Sequence, residues 1–133
     1  MKDLIWDSGL SVQVKEIDED HRRLVDLFNL LNHSVAEGDA KDYVEAVLEE
    51  LISCTVWHFR HEERLMLKYG YKGLVEHKAE HQELIESVTA LQKKFLQEEK
   101  AASSEDLEFL EHWLTEHILV ADMELGSYLG EVM

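Results

Sequence analysis

Proline is absent from this chain of 133 residues, glycine occurs six times and cysteine once. With so few breakers, the stretches between turn signals are long, a pattern that suits a helical bundle and excludes a fold of many short strands. The single cysteine, Cys54, rules out a disulfide within the chain and fits a reducing compartment. Hydrophobic residues make up 45% of the chain, but its uninterrupted apolar runs are only a few residues long. A membrane span and a signal peptide are therefore not expected, and a cytoplasmic protein is. Basic residues are scarce too: Lys and Arg number 13 against 29 Asp and Glu, a formal charge of -16. With no basic stripe to follow a phosphate backbone, neither nucleic acid nor an anionic membrane is an expected partner. The length suits one domain, residues 1–133, with one core and room for one buried site.

Periodicity predicts an all-α fold, an antiparallel up-down four-helix bundle with an extended N-terminal arm and a short C-terminal segment. The arm, residues 1–17, alternates Leu10, Val12 and Val14 with Ser11, Gln13 and Lys15, and Trp6 would anchor it across the bundle. Helices are expected at about 18–37, 40–68, 74–99 and 104–122. Asp18 would cap the first, which runs through Leu24, Phe28 and Leu31 to Gly38, and Asp39 the second. The second carries Val44, Val47, Leu48, Leu51 and Phe59 and ends before a turn at Tyr69–Gly73. The third continues through Leu84, Val88 and Phe95 until a polar stretch interrupts the period, and Ser103 or Ser104 would cap the fourth. Gly126 and Gly130 weaken the final segment, 123–133.

Seven residues on these four helices carry chemistry: His21, His58, Glu62, His77, His81, His117 and Asp122. His58 and Glu62, like His77 and His81, are four apart, which on an ideal helix is ~40° of rotation and ~6 Å of rise, so each pair points one way. Both pairs continue the apolar stripes, and His21 stands one turn ahead of Leu24, Val25 and Phe28, so these five face the core. His117 and Asp122 are five apart, ~140° around an ideal helix, and share a face only if the helix makes one i to i+5 turn. Regular bonding near Val120–Met123 with Asp122 in solvent would remove Asp122 from the set. Unpartnered buried imidazoles and carboxylates cost several kcal/mol each, roughly, and metal removes that cost. The number of donors exceeds what one ion uses and points to a two-metal site.

Spacing narrows the metal. In HEERL, Leu65 stands where a zincin protease has its second histidine, and none of the eight histidines has Glu three residues before it, as ferritin-like di-iron oxidases require. Structural zinc favours four ligands with cysteine, whereas two iron ions suit a nitrogen-rich set with two carboxylates able to bridge.

These motifs make the chain recognisable. IDEDH at Ile17–His21, HFRHEERLM at His58–Met66, HKAEH at His77–His81 and HWLTEHILVAD ending at Asp122, together with the Trp6 arm, resemble the bacterial hemerythrins, oxygen-binding non-haem di-iron proteins. The resemblance covers nearly the whole chain. It implies two iron ions, Fe2+ or Fe3+, joined by a bridging oxo or hydroxo group. His77, His81 and His117 would bind one iron, His21 and His58 the other, and Glu62 and Asp122 would bridge them. Dioxygen would bind reversibly at the open position of the iron with two histidines. With the family's ferrous and ferric states taken as given, the core charge is the same before and after binding, so a low-dielectric pocket does not oppose it. Oxygen storage, transport or delivery by a non-enzymatic monomer is the expectation, with an unidentified redox or oxygen-consuming partner. The alternatives are a di-iron enzyme acting on peroxide or nitric oxide, and an oxygen or redox sensor.

Asp20 stands before His21 where the family commonly has glutamine. It reads first as an acid in the helix's first turn, favoured by the dipole; as a charge near the open iron, it would speed loss of oxygen binding. Phe59, Leu114 and Ile118 are expected to line the oxygen pocket and keep water out. Trp113 and Met66, one turn from His117 and Glu62, would wall the site. Cys54 reads as a small inward-facing core residue, while His33, His61 and His112 fall off the ligand stripes into solvent-facing or outer roles.

Overall fold

The computed structural model describes residue 5 and residues 8–97 and 104–133. Trp6, the expected cap at Ser103 and the expected end of the third helix at residue 99 lie outside the described residues. Helix α1 spans Lys15–Ala36, α2 Lys41–Tyr69, α3 Leu74–Gln97 and α4 Ser104–His117. A π-helical turn, Ile118–Asp122, leads without a break into α5, Met123–Val132. The four rods form the expected antiparallel bundle, and no strand occurs among the described residues. In an up-down order the start of α1, the end of α2, the start of α3 and the end of α4 lie at one end, which gathers the seven residues. No helix is long and apolar enough to cross a membrane among the described residues.

Glycine sets two of the turns. Gly38 and Gly70 take left-handed φ values of 69° and 66°, which let Asp39 and Tyr71 donate their N–H groups back to the Ser34 and Met66 carbonyls and close α1 and α2. Asp39 does not cap α2 as expected; Ala40 is its N-cap residue, and no side chain bonds there.

The arm departs from expectation. Helix α1 starts at Lys15, three residues before Asp18, so Ile17 is helical and completely buried. Asp18 caps the arm instead of the helix: its carboxylate accepts from Ser11 Oγ at 2.6 Å and from the Val12 N–H at 2.8 Å. These bonds fold the arm back, aided by a 3-10 turn at Ser8–Leu10 and a left-handed Gln13 at φ 61°. Val12, Val14 and Ile17 thereby join Leu65, Met66, Ile118, Leu125 and Leu129 in a core beneath the arm. A second core, built on Phe28, Leu48, Phe59, Leu84, Phe95 and Leu110, fills the rest of the bundle.

The last segment is also more ordered than its glycines suggest. Residues 123–132 are helical, because Leu125 and Leu129 are buried and Gly126 faces the arm, where a Cβ would stand 2.4 Å from the Val12 carbonyl oxygen. Gly126 admits the close approach that seals the bundle end, and burial outweighs its low helix propensity.

Candidate metal centre

All seven residues converge at that end and are buried, Glu62 and Asp122 with 0% exposure. His21 comes from the second turn of α1, His58 and Glu62 from α2, His77 and His81 from α3, His117 from the end of α4 and Asp122 from the π turn. That turn is the local unwinding the five-residue spacing demands: the Met123 N–H donates to the Ile118 carbonyl, five residues back.

The two carboxylates stand between two sets of imidazoles. Asp122 turns Oδ2 to His21 Nε2 at 2.8 Å, and Oδ1 to His77 and His117 Nε2 at 2.9 and 3.1 Å. Glu62 Oε1 lies 3.4 Å from His58, 3.6 Å from His77 and 3.1 Å from His81, each at Nε2. Donor atoms of Glu62, His77, His81, His117 and Asp122 lie within 4.8 Å of one another, as do those of His21, His58, Glu62 and Asp122. The sets share both carboxylates and can each hold a metal ion.

Several of these approaches have ion-pair length but none meets hydrogen-bond geometry: the five Nε2 atoms and all four carboxylate oxygens have no hydrogen-bond partner among the described residues. Lone pairs aimed at a common centre in a dry core are what cations neutralise, so the donor set fits metal.

Electrostatics divide the set in the metal-free protein. Burial, against the pull of Asp20, lowers His58 to about 4. Burial and the neighbouring His117 and His77 lower His81 to about 2. His77 would be lowered by burial too, but Asp122 and Glu62 outweigh that and lift it to about 10. Burial and the nearby Asp122 raise the Glu62 carboxyl well above its ordinary range; burial would raise Asp122 as well, but His117 and its other histidine partners hold it well below.

Around the cluster lies a ring of partners that the sequence hid. Asp20 does not act as a first-turn acid: with α1 starting at Lys15, it sits past that turn and its Oδ2 meets His58 Nδ1 at 2.9 Å and His61 Nδ1 at 2.6 Å. Burial would raise the Asp20 carboxyl, but the two histidine bonds outweigh it and leave it lowered. His61 reaches Glu16 through Nε2 at 3.1 Å, and Glu63 meets His81 Nδ1 at 3.1 Å. The roles of His61 and Glu63 were invisible in sequence because each partner lies on another helix, and helical spacing carries no register between helices. His33 and His112 are exposed, as expected, with His112 paired to Glu116 at 2.9 Å.

Trp113 stacks on His117 with centroids 4.7 Å apart and planes at 13° and so walls the centre, while Met66 is completely buried in the core beneath the arm. Phe59 stacks on His81 at 3.8 Å and 4°. A cavity of about 40 Å³ runs from His21, His58 and His117 into the bundle, and Phe59, Leu114 and Ile118 all line it. Cys54 packs on the core from its rim and is only partly buried; it lines a surface groove with Leu27 and Trp57, so it is not the inward-facing residue expected.

An antiparallel four-helix bundle that buries five imidazoles and two shared carboxylates is a helical metal-binding protein. The family model described as Hemerythrin HHE cation binding domain matches residues 12–129, and the chain belongs to the hemerythrin family. It is 35% identical over 113 residues to a bacteriohemerythrin of Methylococcus capsulatus, a match covering 85% of this chain and 86% of that one. Identity to a hemerythrin-like protein of Naegleria gruberi is 29% over 124 residues, 93% of this chain and 92% of the other. A crystal structure of wild-type hemerythrin superposes with a TM-score of 0.88 at 32% identity, covering 95% of this chain and 97% of that one.

Proposed function

We propose that this chain binds dioxygen reversibly at a pair of iron ions, for storage, transport or delivery. In this reading His77, His81 and His117 hold one ion, His21 and His58 the other, and Glu62 and Asp122 reach both. When bound, iron supplies the electrons and the open position that dioxygen requires. The chain's own residues orient the ions and keep the pocket dry. Asp122 turns one oxygen to each histidine set, and Phe59, Leu114 and Ile118 present hydrocarbon beside His21 and His58.

One observation carries the preference for reversible binding over chemistry: outside the ligand set, none of the residues lining the cavity has a titratable side chain. The polar side chains it adds to the ligands are Thr55, whose hydroxyl donates to the Leu51 carbonyl at 2.7 Å, and Trp113, whose indole N–H is not acidic enough to give up its proton. A site built to reduce peroxide or nitric oxide needs protons delivered to the reacting group; apolar lining withholds them.

The test is the visible spectrum of iron-loaded, reduced protein through repeated cycles of air and its removal, with iron counted. Two irons per chain and a colour that comes and goes support the reading. One-way bleaching, or steady consumption of peroxide or nitric oxide with a reductant, would replace it with the enzymatic one. A protein partner retained in one oxidation state alone would argue for sensing.

A further inference from the structure

Each histidine set contains one imidazole tied from behind by a carboxylate on the preceding helix. On the two-histidine side, His58 Nδ1 of α2 lies 2.9 Å from Asp20 of α1. On the three-histidine side, His81 Nδ1 of α3 lies 3.1 Å from Glu63 of α2. The tethers are immediate sequence neighbours of residues in the centre: Asp20 precedes His21, and Glu63 follows Glu62. So α1 carries one donor of the centre and the tether for a donor on α2, and α2 repeats the relation toward α3.

The tautomer gives these contacts a purpose. A neutral imidazole offers a lone pair at Nε2 only when its proton is on Nδ1. A carboxylate accepting from Nδ1–H secures that tautomer, fixes the ring's rotation and raises the ligand's basicity. By contrast, Nδ1 of His21 and of His117 has no hydrogen-bond partner among the described residues. Asp20 is itself braced, since His61 donates to the same oxygen at 2.6 Å and its other nitrogen faces Glu16 at 3.1 Å. Glu63 is more exposed, 21% against 12% for Asp20, with Lys78 4.0 Å away.

Resting on the ligand reading above, we propose that Asp20 and Glu63 are positioning residues, one for each metal ion, so that the two ions can be loosened independently from outside the coordination sphere. Asp20 governs the ion of His21 and His58; Glu63 governs that of His77, His81 and His117. The braced Asp20 is the stronger tether.

Anaerobic titration of the metal-free protein with Co2+ tests this, with paramagnetically shifted NMR identifying the ligand histidines of each ion by their exchangeable Nδ1–H signals. The wild type is expected to take up two ions. Asp20→Ala should weaken one of them roughly 10- to 100-fold and leave the other unchanged, Glu63→Ala should weaken the second, and Asp20→Asn and Glu63→Gln, which keep an acceptor, should recover most of the loss. Uptake of fewer than two ions by the wild type overturns the ligand reading itself. Two ions in the wild type, with both alanine variants unaltered or both losing the same ion, leaves that reading standing and overturns the tethers. If an alanine variant does not fold, nitrogen NMR of the metal-free wild type decides: His58 and His81 should be protonated at Nδ1, and protonation at Nε2 instead defeats the proposal.

Discussion

His117 and Asp122 are five residues apart on one helix, yet Nε2 of the first lies 3.1 Å from Oδ1 of the second. A regular helix would set them ~140° apart. The π turn at Ile118–Asp122 removes that angle, and it does so with Leu119 and Val120 on the exposed side, 46% and 63% accessible, while Ile118 and Asp122 stay buried. A π turn forms poorer helical bonds than a regular one and recurs at functional sites. Its presence where the donor spacing requires it ties the local backbone to the centre.

Asp122 is the residue that the turn delivers, and its two oxygens face the two histidine sets separately. Asp122→Asn keeps the volume and removes the charge that both ions would share. Bound iron should fall from two ions per chain to one or none, with the helical circular dichroism retained. Full iron content in this variant would show that Asp122 is dispensable.

Gly126 and Gly130 make a paired test of the arm. A Cβ on Gly126 would stand 2.7 Å from Val12 Cβ and closer still to its carbonyl, whereas one on Gly130 meets nothing within 4 Å. Gly126→Ala should destabilise by about 1–3 kcal/mol as the arm is pushed off. Gly130→Ala should stabilise by about 0.5–1 kcal/mol through helix propensity alone. Denaturant unfolding of the two variants should therefore move in opposite directions.

Ile118 is 1% exposed and lines the cavity beside the two-histidine set. Ile118→Ala should cost about 2–5 kcal/mol in stability and admit water to the pocket, hastening the loss of oxygen-binding colour in air. The decay rate of the oxygenated spectrum reads this. A rate equal to the wild type's would mean that Ile118 does not keep water out.

Acid should weaken the metal-free fold. His58 and His81 are depressed from 6.5 to about 4 and about 2, so the folded chain holds fewer protons than the unfolded chain below pH 6.5. Their stabilising share is present above that value and is lost as pH falls through the folded values. Glu62, raised, works in the opposite sense, its share being lost as pH rises above 4.5. Two histidines against one carboxyl leave a net loss on the acid side. The thermal midpoint of the metal-free protein should drop between pH 6.5 and pH 4.5, and a flat or rising midpoint would contradict the assignment.

Much of this was legible before any coordinates. The four apolar stripes placed His58 with Glu62 and His77 with His81 on inward faces, because side chains four apart on a helix must share a side. The five-residue step from His117 to Asp122 announced the π turn by the same arithmetic. Local capping was legible less well: Asp18 and Asp39 are good cap residues by type, but a favourable side chain takes whichever donors the tertiary fold presents, and for Asp18 these are the Ser11 hydroxyl and the Val12 N–H of the arm. For the same reason the glycines at 126 and 130 read as helix weakeners, although one of them is a contact surface.

By itself the sequence determined the helical class, the inward direction of the donors and the need for a break in the last helix. All three follow from periodicity along one chain and from the cost of burying polar groups alone. Only the tertiary structure decided which carboxylate oxygen faces which imidazole, that Asp20 and Glu63 stand behind His58 and His81, and that the arm closes onto Gly126. Those are relations between helices, set by how side chains interlock across the core, and no spacing within a single helix encodes them.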